Sequence, residues 1–276
     1  MTIALIALWS LPVSAAPEMV AVPSGTLLMG ANDGPAEEQP QHKRMVKPFL
    51  LDKSPVSVAA FGKWVAESTY RTEAEKFGDG AVMHMGTGYW YLQKGATWQK
   101  PFGPKGDTAT PDHPVTQVSF NDAKAYCAAH GKRLPTEAEW EHAARGGNNA
   151  EIAYAFGPNL LHEGEYLANV WTGIFPVMNT GNDGFHTTSP IGHYGVTPIG
   201  LTDMAGNVWE WVDTWFTPYP DTGETGGTEK VQRGGSYLCD PKVCHGFRVT
   251  ARGHATPDSS HIHVGFRCAK DIEQTL

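Results

Sequence analysis

Beyond Gly147 the chain has no long helical period, and this limits the folds open to it. Gly, Pro, Asn, Asp and Trp dominate this half, and the pieces that resemble strands are short: GNVWEWVDTW, VQRGGSYL and VGFRCAK. The whole chain contains 31 Gly, 20 Pro and 9 Trp, which is typical of many turns and irregular loops pinned by aromatic side chains. The sequence therefore predicts a loop-rich α+β fold with little regular secondary structure.

Helix signals are confined to the first half of the chain. Ser57 can cap a helix over residues 58–68, in which apolar side chains recur at i, i+3 and i+4 spacing. A second helix is predicted in SFNDAKAYCAAHG, with Asn121 as its N-cap. In RLPTEAEWEHAARGG, Thr136 and Glu139 form a capping box at the start of a third helix. The segment MVAVPSGTLLMG predicts a strand and a hairpin before all of these helices.

Residues 1–16 have the pattern of a signal peptide. An apolar stretch precedes Val13-Ser14-Ala15, which has the small-residue pattern of a cleavage site, although no Lys or Arg comes before it. We therefore expect an exported protein, periplasmic or secreted, with one domain over residues 17–276. No other segment approaches the roughly 20 apolar residues of a membrane span. The formal net charge of −8, without a basic run, argues against nucleic acid as a partner.

Two of the four cysteines, Cys239 and Cys244, form a C-x4-C pair. On spacing alone this pair is compatible with a disulfide, half of a zinc site, a thiol redox couple or a site for a soft ion such as Cu(I). Zinc would need two more ligands, and His245 is poorly placed for a closed tetrahedral site because it is adjacent in sequence. The spacing leaves these alternatives open.

Several phrases occur together and in order: RLPTEAEWEHAARGG, ANVWTGIFPVMNTGNDGF, GLTDMAGNVWEW, RGGSYLC followed by the second Cys, and ATPDSS followed by GFRCAKD. Together they resemble the formylglycine-generating enzyme (sulfatase-modifying factor) family over nearly the whole chain. The resemblance implies a single domain related in outline to C-type lectins. It also implies an oxidase that converts a cysteine in C-x-P-x-R segments of unfolded sulfatases to formylglycine, with Cu(I), O2 and a thiol reductant.

The resemblance also assigns roles at the site. Cys239 and Cys244 match the catalytic pair that binds copper, and Ser236 matches a serine that contacts substrate or oxygen. Trp209 matches an aromatic wall of the pocket and Arg252 a pocket arginine. Taken without the resemblance, the serine is a turn residue, the tryptophan a core residue and the arginine a surface residue.

The resemblance further implies a structural disulfide between Cys127 and Cys268. A second bridge of many relatives is absent, because those positions are Ala144 and Val249. Two sets of oxygen ligands match structural calcium sites. The first set is Asn169, Val170, Asp183 and Phe185, and the second is Asp203, Gly206, Val208 and Glu210, with the main-chain carbonyls serving at Val170, Phe185, Gly206 and Val208.

The chain departs from the family at three positions that line the pocket in relatives: Asp240, Val243 and Ala255. These changes leave the identity of the substrate open, since they alter hydrogen-bonding capacity. One alternative is therefore an oxidase or maturation factor of the same fold that acts on another peptide or a small molecule. Another is a non-catalytic, lectin-like binding module whose cysteines are locked in a disulfide.

HATPDSSHIHV concentrates three histidines near the C-terminal end, at positions 254, 261 and 263. His261 and His263 would share one face of a strand, which allows an extra metal site. The simpler interpretation is a set of solvated loop histidines, because two ligands do not define a specific metal site.

Overall fold

The computed structural model describes residues 18–272, so the predicted signal peptide lies outside the described residues. Four α-helices occupy the first half of the described chain: α1 (Val58–Ser68), α2 (Glu73–Phe77), α3 (Phe120–Ala129) and α4 (Glu137–Ala144). None of the described helices is both long enough and apolar enough to cross a bilayer.

Short strands make up the rest of the regular structure. They are β1 (Met19–Val22), β2 (Gly25–Met29), β3 (His42–Val46), β4 (Phe49–Asp52), β5 (Asp79–Met83), β6 (Trp90–Lys94), β7 (Leu161–His162), β8 (Glu165–Tyr166), β9 (Gly173–Ile174), β10 (Met178–Asn179), β11 (Trp209–Trp215), β12 (Lys230–Arg233), β13 (Arg252–Ala255), β14 (Val264–Gly265) and β15 (Ala269–Asp271). The predicted loop-rich α+β fold is confirmed.

Two small sheets organise the molecule. In one sheet β4 pairs antiparallel with both β1 and β15, so the two ends of the described chain meet. The other sheet has the order β13-β12-β11-β14, in which β11 pairs antiparallel with β12 and parallel with β14. The remaining strands form the two-stranded pairs β2–β3, β5–β6, β7–β8 and β9–β10.

Local capping chemistry fixes where the helices begin. Ser57 accepts a hydrogen bond from the amide of Ala60, and Thr136 and Glu139 complete the predicted capping box. The prediction for α3 is wrong by two residues, because Ser119 rather than Asn121 is the N-cap. Ser119 forms a capping box with Asp122, whose carboxylate accepts from the amide of Ser119 at 2.9 Å.

Two further elements differ from the sequence predictions. Helix α2, with its own capping box, was not predicted. The strand expected in VQRGGSYL ends at Arg233, because Gly234 and Gly235 take left-handed backbone angles with φ of 96° and 70°. Residues 236–239 therefore form a turn instead of continuing β12.

Helices α1 and α3 pack on the C-terminal segment through an aromatic cluster. Phe61 of α1 stacks on Tyr126 of α3 at a ring-centroid distance of 5.7 Å, and both rings contact Phe266. Cys127 and Cys268 form the disulfide that the resemblance implies. This bond ties α3 to the chain just before β15, and both cysteines are fully buried.

Removing the disulfide should destabilise the fold substantially. It joins residues 141 positions apart, and closing a loop of that length stabilises a protein by about 4–5 kcal/mol through the unfolded state. We expect the double variant Cys127→Ser/Cys268→Ser to lose a comparable free energy of unfolding in urea denaturation. The control is Cys244→Ser, which removes an exposed free thiol. An unchanged unfolding midpoint in the double variant would contradict the structural role of the bond.

Candidate active site around two free cysteines

Cys239 lies at the end of a tight turn that begins at Ser236. The amide of Cys239 donates to the carbonyl oxygen of Ser236 at 2.9 Å, and the Ser236 amide donates to the Cys239 Sγ at 3.4 Å. The Ser236 Oγ lies 4.0 Å from the same sulfur, and both side chains are buried. This turn holds one sulfur in a fixed position, with a backbone N–H that can stabilise negative charge on it.

Asp240 shapes the loop that returns to Cys244. Its carbonyl oxygen accepts from the amides of Val243, Cys244 and His245 at 3.1–3.2 Å, and its buried carboxylate accepts from the Lys242 amide at 2.7 Å. Both cysteines are free, with Cys239 buried and Cys244 exposed. Each thiol shifts the pKa of the other, so the loop brings the C-x4-C thiols close together.

The two thiols have different acidities. The neighbouring Cys239 thiol lowers the pKa of Cys244 to about 7, and backbone amides add to this effect. Cys244 and burial raise the pKa of Cys239 above its ordinary value. At neutral pH the pair therefore shares one proton, which stays on Cys239, while the exposed Cys244 gains thiolate character.

The half-buried ring of Trp209 forms a wall beside the thiols. A Cβ on Gly246 would come within 2.5 Å of the Trp209 ring and 3.0 Å of the Cys239 Sγ, so only glycine fits at this position. On another side of the ring, a Cβ on Gly253 would lie 3.4 Å from it. The geometry thus brings together Ser236, Cys239 and Trp209, three of the predicted site residues.

Arg233 holds both ends of the segment that carries the thiols. Its fully buried guanidinium donates to Glu137 and Glu141 of α4, at 3.2 and 2.6 Å. It also donates to the carbonyl oxygens of Val249 and Thr250, at 2.5 and 3.1 Å. Although burial opposes its charge, the carboxylate of Glu141 raises the pKa of Arg233 above its usual range.

Arg252 forms its contacts with Glu137 and the main chain, and its role as a pocket arginine stays a prediction. Its guanidinium donates to both carboxylate oxygens of Glu137, at 2.7 and 3.1 Å, and to two main-chain carbonyls. The next residue on β13, Gly253, faces the Trp209 ring. Because side chains alternate along a strand, Arg252 points to the opposite face of the sheet and acts in a structural ion pair.

The first predicted calcium ligand set is assembled around Asn169 and Asp183. The Asn169 Nδ2 donates to the Thr187 carbonyl at 2.8 Å, while its buried Oδ1 has no hydrogen-bond partner among the described residues. Asp183 accepts from the amides of Val170 and Phe185, which draws these two residues around its carboxylate. A hard cation bound by oxygen would satisfy the orphaned amide oxygen, so these residues fit calcium.

The second set is only partly free for a cation. The buried Oδ1 of Asp203 has no partner within residues 18–272. Both carboxylate oxygens of Glu210 already accept from Arg267, at 2.8 and 2.7 Å, and one also accepts from Trp140. A cation here would have to share Glu210 with a buried arginine, so this set fits calcium less well than the first.

The loops of both ligand sets form backbone hydrogen bonds with the segment around the turn 236–239, which carries Cys239. The Asn207 amide donates to the Asn169 carbonyl at 2.8 Å, and the Tyr237 amide donates to the Asn207 carbonyl at 2.9 Å. The Gly206 amide donates to the Gly234 carbonyl at 2.7 Å. A cation that rigidifies these loops would therefore also rigidify the turn that carries Cys239.

The donor set of the thiol pair suits Cu(I). Two adjacent sulfur ligands, one exposed and one buried, are the soft donors that this ion prefers. Among the described residues, no group of three or more His, Cys, Asp or Glu side chains is arranged to hold a metal ion. This arrangement matches a low-coordinate soft ion better than a closed four-ligand zinc site.

Sequence reasoning missed several residues that border the site. Gly246 gave no local signal, because its role depends on contact with Trp209. Trp90, in the exposed run Tyr89–Leu92, lies with its ring centroid 4.8 Å from that of His263. His263 in turn accepts from the Trp209 amide through its carbonyl oxygen at 2.9 Å. An aromatic run in the sequence was the only available hint of this contact.

Comparison with known proteins identifies the family. Residues 8–272 match the model of the sulfatase-modifying factor enzyme 1-like domain. The chain belongs to this family. It is 42% identical to a formylglycine-generating enzyme of Streptomyces coelicolor, over 93% of this chain and 90% of that protein.

Not every relative carries a name that implies activity. The chain is 39% identical to a mouse protein named inactive C-alpha-formylglycine-generating enzyme 2, over 92% of this chain and 85% of that protein. Among solved structures, PvdO from Pseudomonas aeruginosa superposes with a TM-score of 0.72 at 27% identity, over 94% of this chain and 96% of that one. Family membership and fold are thus established, and activity must be argued from the thiol site.

The exposure difference between the thiols should appear in alkylation. In the metal-free protein we expect iodoacetamide to label Cys244 well before Cys239, because only Cys244 is exposed. Its rate should rise with pH through about 7, where its thiolate forms, and level off above that. Peptide mass spectrometry over a pH series gives both rates. Equal labelling of the two cysteines would contradict the described geometry.

Proposed function

We propose that the chain converts a cysteine of a sulfatase-type peptide to formylglycine. The observation that carries the proposal is the pair of free thiols, Cys239 and Cys244, which perturb each other's pKa, with the Cys239 sulfur beside the ring of Trp209. The relatives named formylglycine-generating enzyme support the same activity. Because similar relatives are named inactive, the thiol pair counts for more than overall identity.

Cu(I) is the proposed cofactor, held by the two cysteine sulfurs. When bound there, it would supply the activation of O2 that oxidation of the substrate cysteine requires. The protein's own residues fix the surroundings. The amide of Ser236 stabilises charge on the Cys239 sulfur, the exposed Cys244 faces the arriving substrate, and Trp209 limits the space on one side.

The electron balance requires a thiol reductant as well as O2. The substrate C–H and S–H bonds give up two electrons and two protons as the cysteine becomes a thioaldehyde. Water then replaces sulfur and releases hydrogen sulfide, which leaves the aldehyde. Reduction of O2 to two waters needs four electrons, so two more come from an external dithiol that becomes a disulfide.

Two residues of the thiol loop favour a second candidate, an oxidase of the same fold with a different peptide substrate. Val243 exposes 63% of its surface as an apolar group next to Cys244. Asp240 is buried, and its carboxylate binds the backbone of its own loop, so it offers little to a guest. Both positions differ from the family pattern. An apolar side chain near the substrate cysteine would suit Val243 better than a polar one.

Peptide turnover tests the leading proposal. Cu(I)-loaded protein, O2 and dithiothreitol should convert a C-x-P-x-R peptide to the aldehyde form, which mass spectrometry and hydrazide capture both detect. Cys239→Ser or Cys244→Ser should lower turnover by more than roughly a hundredfold, because second-shell changes at metal sites already cost up to that much.

Lys242→Ala, in the same exposed loop, is the matched control and should keep full turnover. Conversion of only those peptides that carry an apolar flanking residue would favour the second candidate. No conversion of any cysteine peptide by the copper-loaded protein would contradict both.

A structural calcium ion is proposed at Asn169 and Asp183, with the carbonyl oxygens of Val170 and Phe185. The orphaned Asn169 Oδ1 supports this placement.

Calcium at a hundredfold excess over its Kd should raise the free energy of unfolding by about 2.7 kcal/mol. The response should disappear in Asn169→Ala and persist in Asn182→Ala, an exposed residue of the same loop. Thermal unfolding with calcium and with a chelator measures this stabilisation in each variant. Equal stabilisation of the two variants by calcium would contradict the site.

A further inference from the structure

His261 and His263 form a pair of imidazoles that the proposed oxidation does not use. Their ring centroids are 5.8 Å apart, and the rings meet at 86°. The Nδ1 atom of each ring is buried and has no hydrogen-bond partner among the described residues. Leaving a buried polar atom unpaired costs free energy, so two such atoms side by side point to a ligand that pairs with both.

The backbone fixes the two histidines rigidly, although not in the single strand that the sequence suggested. His261 bridges to Ala81 of β5, and its carbonyl oxygen accepts from the Gln117 amide at 2.9 Å. His263 lies in the turn that follows, and its carbonyl oxygen accepts from the Trp209 amide. The backbone of His261 is thus held against β5 and that of His263 against β11.

An aromatic ring completes the cluster. The Trp90 ring lies 4.8 Å from that of His263 and 5.8 Å from that of His261, centroid to centroid. Trp90 is 45% exposed, so the cluster lies at the protein surface. Indole faces attract cations. Two imidazoles and one indole therefore lie in mutual contact.

We propose that His261 and His263 bind a Cu(I) ion, with the Trp90 ring against it. An ion held at about 2.0–2.1 Å by one nitrogen of each ring would keep the ring centres roughly 6 Å apart, as they are here. Imidazole is a good ligand for copper, and Cu(I) needs fewer ligands than zinc does.

His254, the third histidine of the segment, instead pairs with Glu229 at 2.8 Å and stacks on Phe216. It is therefore not part of the site.

The site is connected to the thiol pair through Trp209. His263 touches the backbone of Trp209, and the Trp209 ring lies against Gly246, beside the Cys239 sulfur. The imidazole pair is a weaker donor set than two thiolates, because soft sulfur selects Cu(I) more strongly. This order of strength suits a site where copper arrives before it reaches the thiols.

The test separates this site from the thiol pair. In the double variant Cys239→Ser/Cys244→Ser, anaerobic titration with Cu(I) against a chromogenic chelator should still find one equivalent bound. Adding His261→Asn and His263→Asn should weaken that binding more than tenfold, and adding His254→Asn instead should leave it unchanged. The fluorescence emission of Trp90 should fall when Cu(I) binds. Comparison with the Trp90→Phe variant separates this change from the emission of the other tryptophans.

Each outcome decides the proposal. If the double cysteine variant retains no Cu(I), or if the His261→Asn and His263→Asn changes leave binding intact, the imidazole site is wrong while the thiol site stands. If Zn²⁺ binds there and Cu(I) does not, the assignment of a monovalent soft ion is overturned. Retention in the cysteine variant together with a catalytically inert wild-type protein would support this site and refute the proposed oxidation. Unfolding midpoints of the histidine variants show whether they remain folded.

Discussion

The buried guanidinium of Arg233 is the contact on which the site depends most. It binds Glu137 and Glu141 on α4, and it also binds the carbonyl oxygens of Val249 and Thr250. One side chain thereby joins the two ends of the segment 234–248. Taking one partner from such a buried pair costs about 3–5 kcal/mol, because an uncompensated charge stays behind. The position of the two thiols therefore depends on the buried ion pairs of Arg233 with Glu137 and Glu141.

A fold with so little regular structure needs anchors of this kind. The disulfide ties α3 to the C-terminal strand, the ion pairs tie α4 to β12, and backbone bonds link the proposed calcium loops to the thiol turn. The backbone bonds act directly on loops, and the other two anchors hold the helices and strands from which loops run. The site on top of them stays open, with Cys244 exposed and Trp90 partly exposed. Rigid support beneath one buried and one exposed thiol suits the proposed peptide substrate.

What could be predicted from the sequence was local. Helix α1 and the capping box of Thr136 and Glu139 follow from neighbouring residues, so their signals survive without tertiary information. The family motifs gave the fold and the pairing of Cys127 with Cys268. The direction of Arg252 could not be predicted, because it depends on a carboxylate 115 residues away. The contact of Trp90 with His263 likewise joins distant segments, and no periodicity reports it.

The central claim is that Cys239 and Cys244 act as one metal-binding pair in the folded protein. X-ray absorption at the copper edge, recorded with one equivalent of Cu(I) under reducing conditions, tests it most directly. We expect a low-coordinate site with two sulfur ligands, and loss of one sulfur in either single cysteine variant. A spectrum with only nitrogen or oxygen ligands, or a Cys239–Cys244 disulfide that persists in reductant, would contradict it.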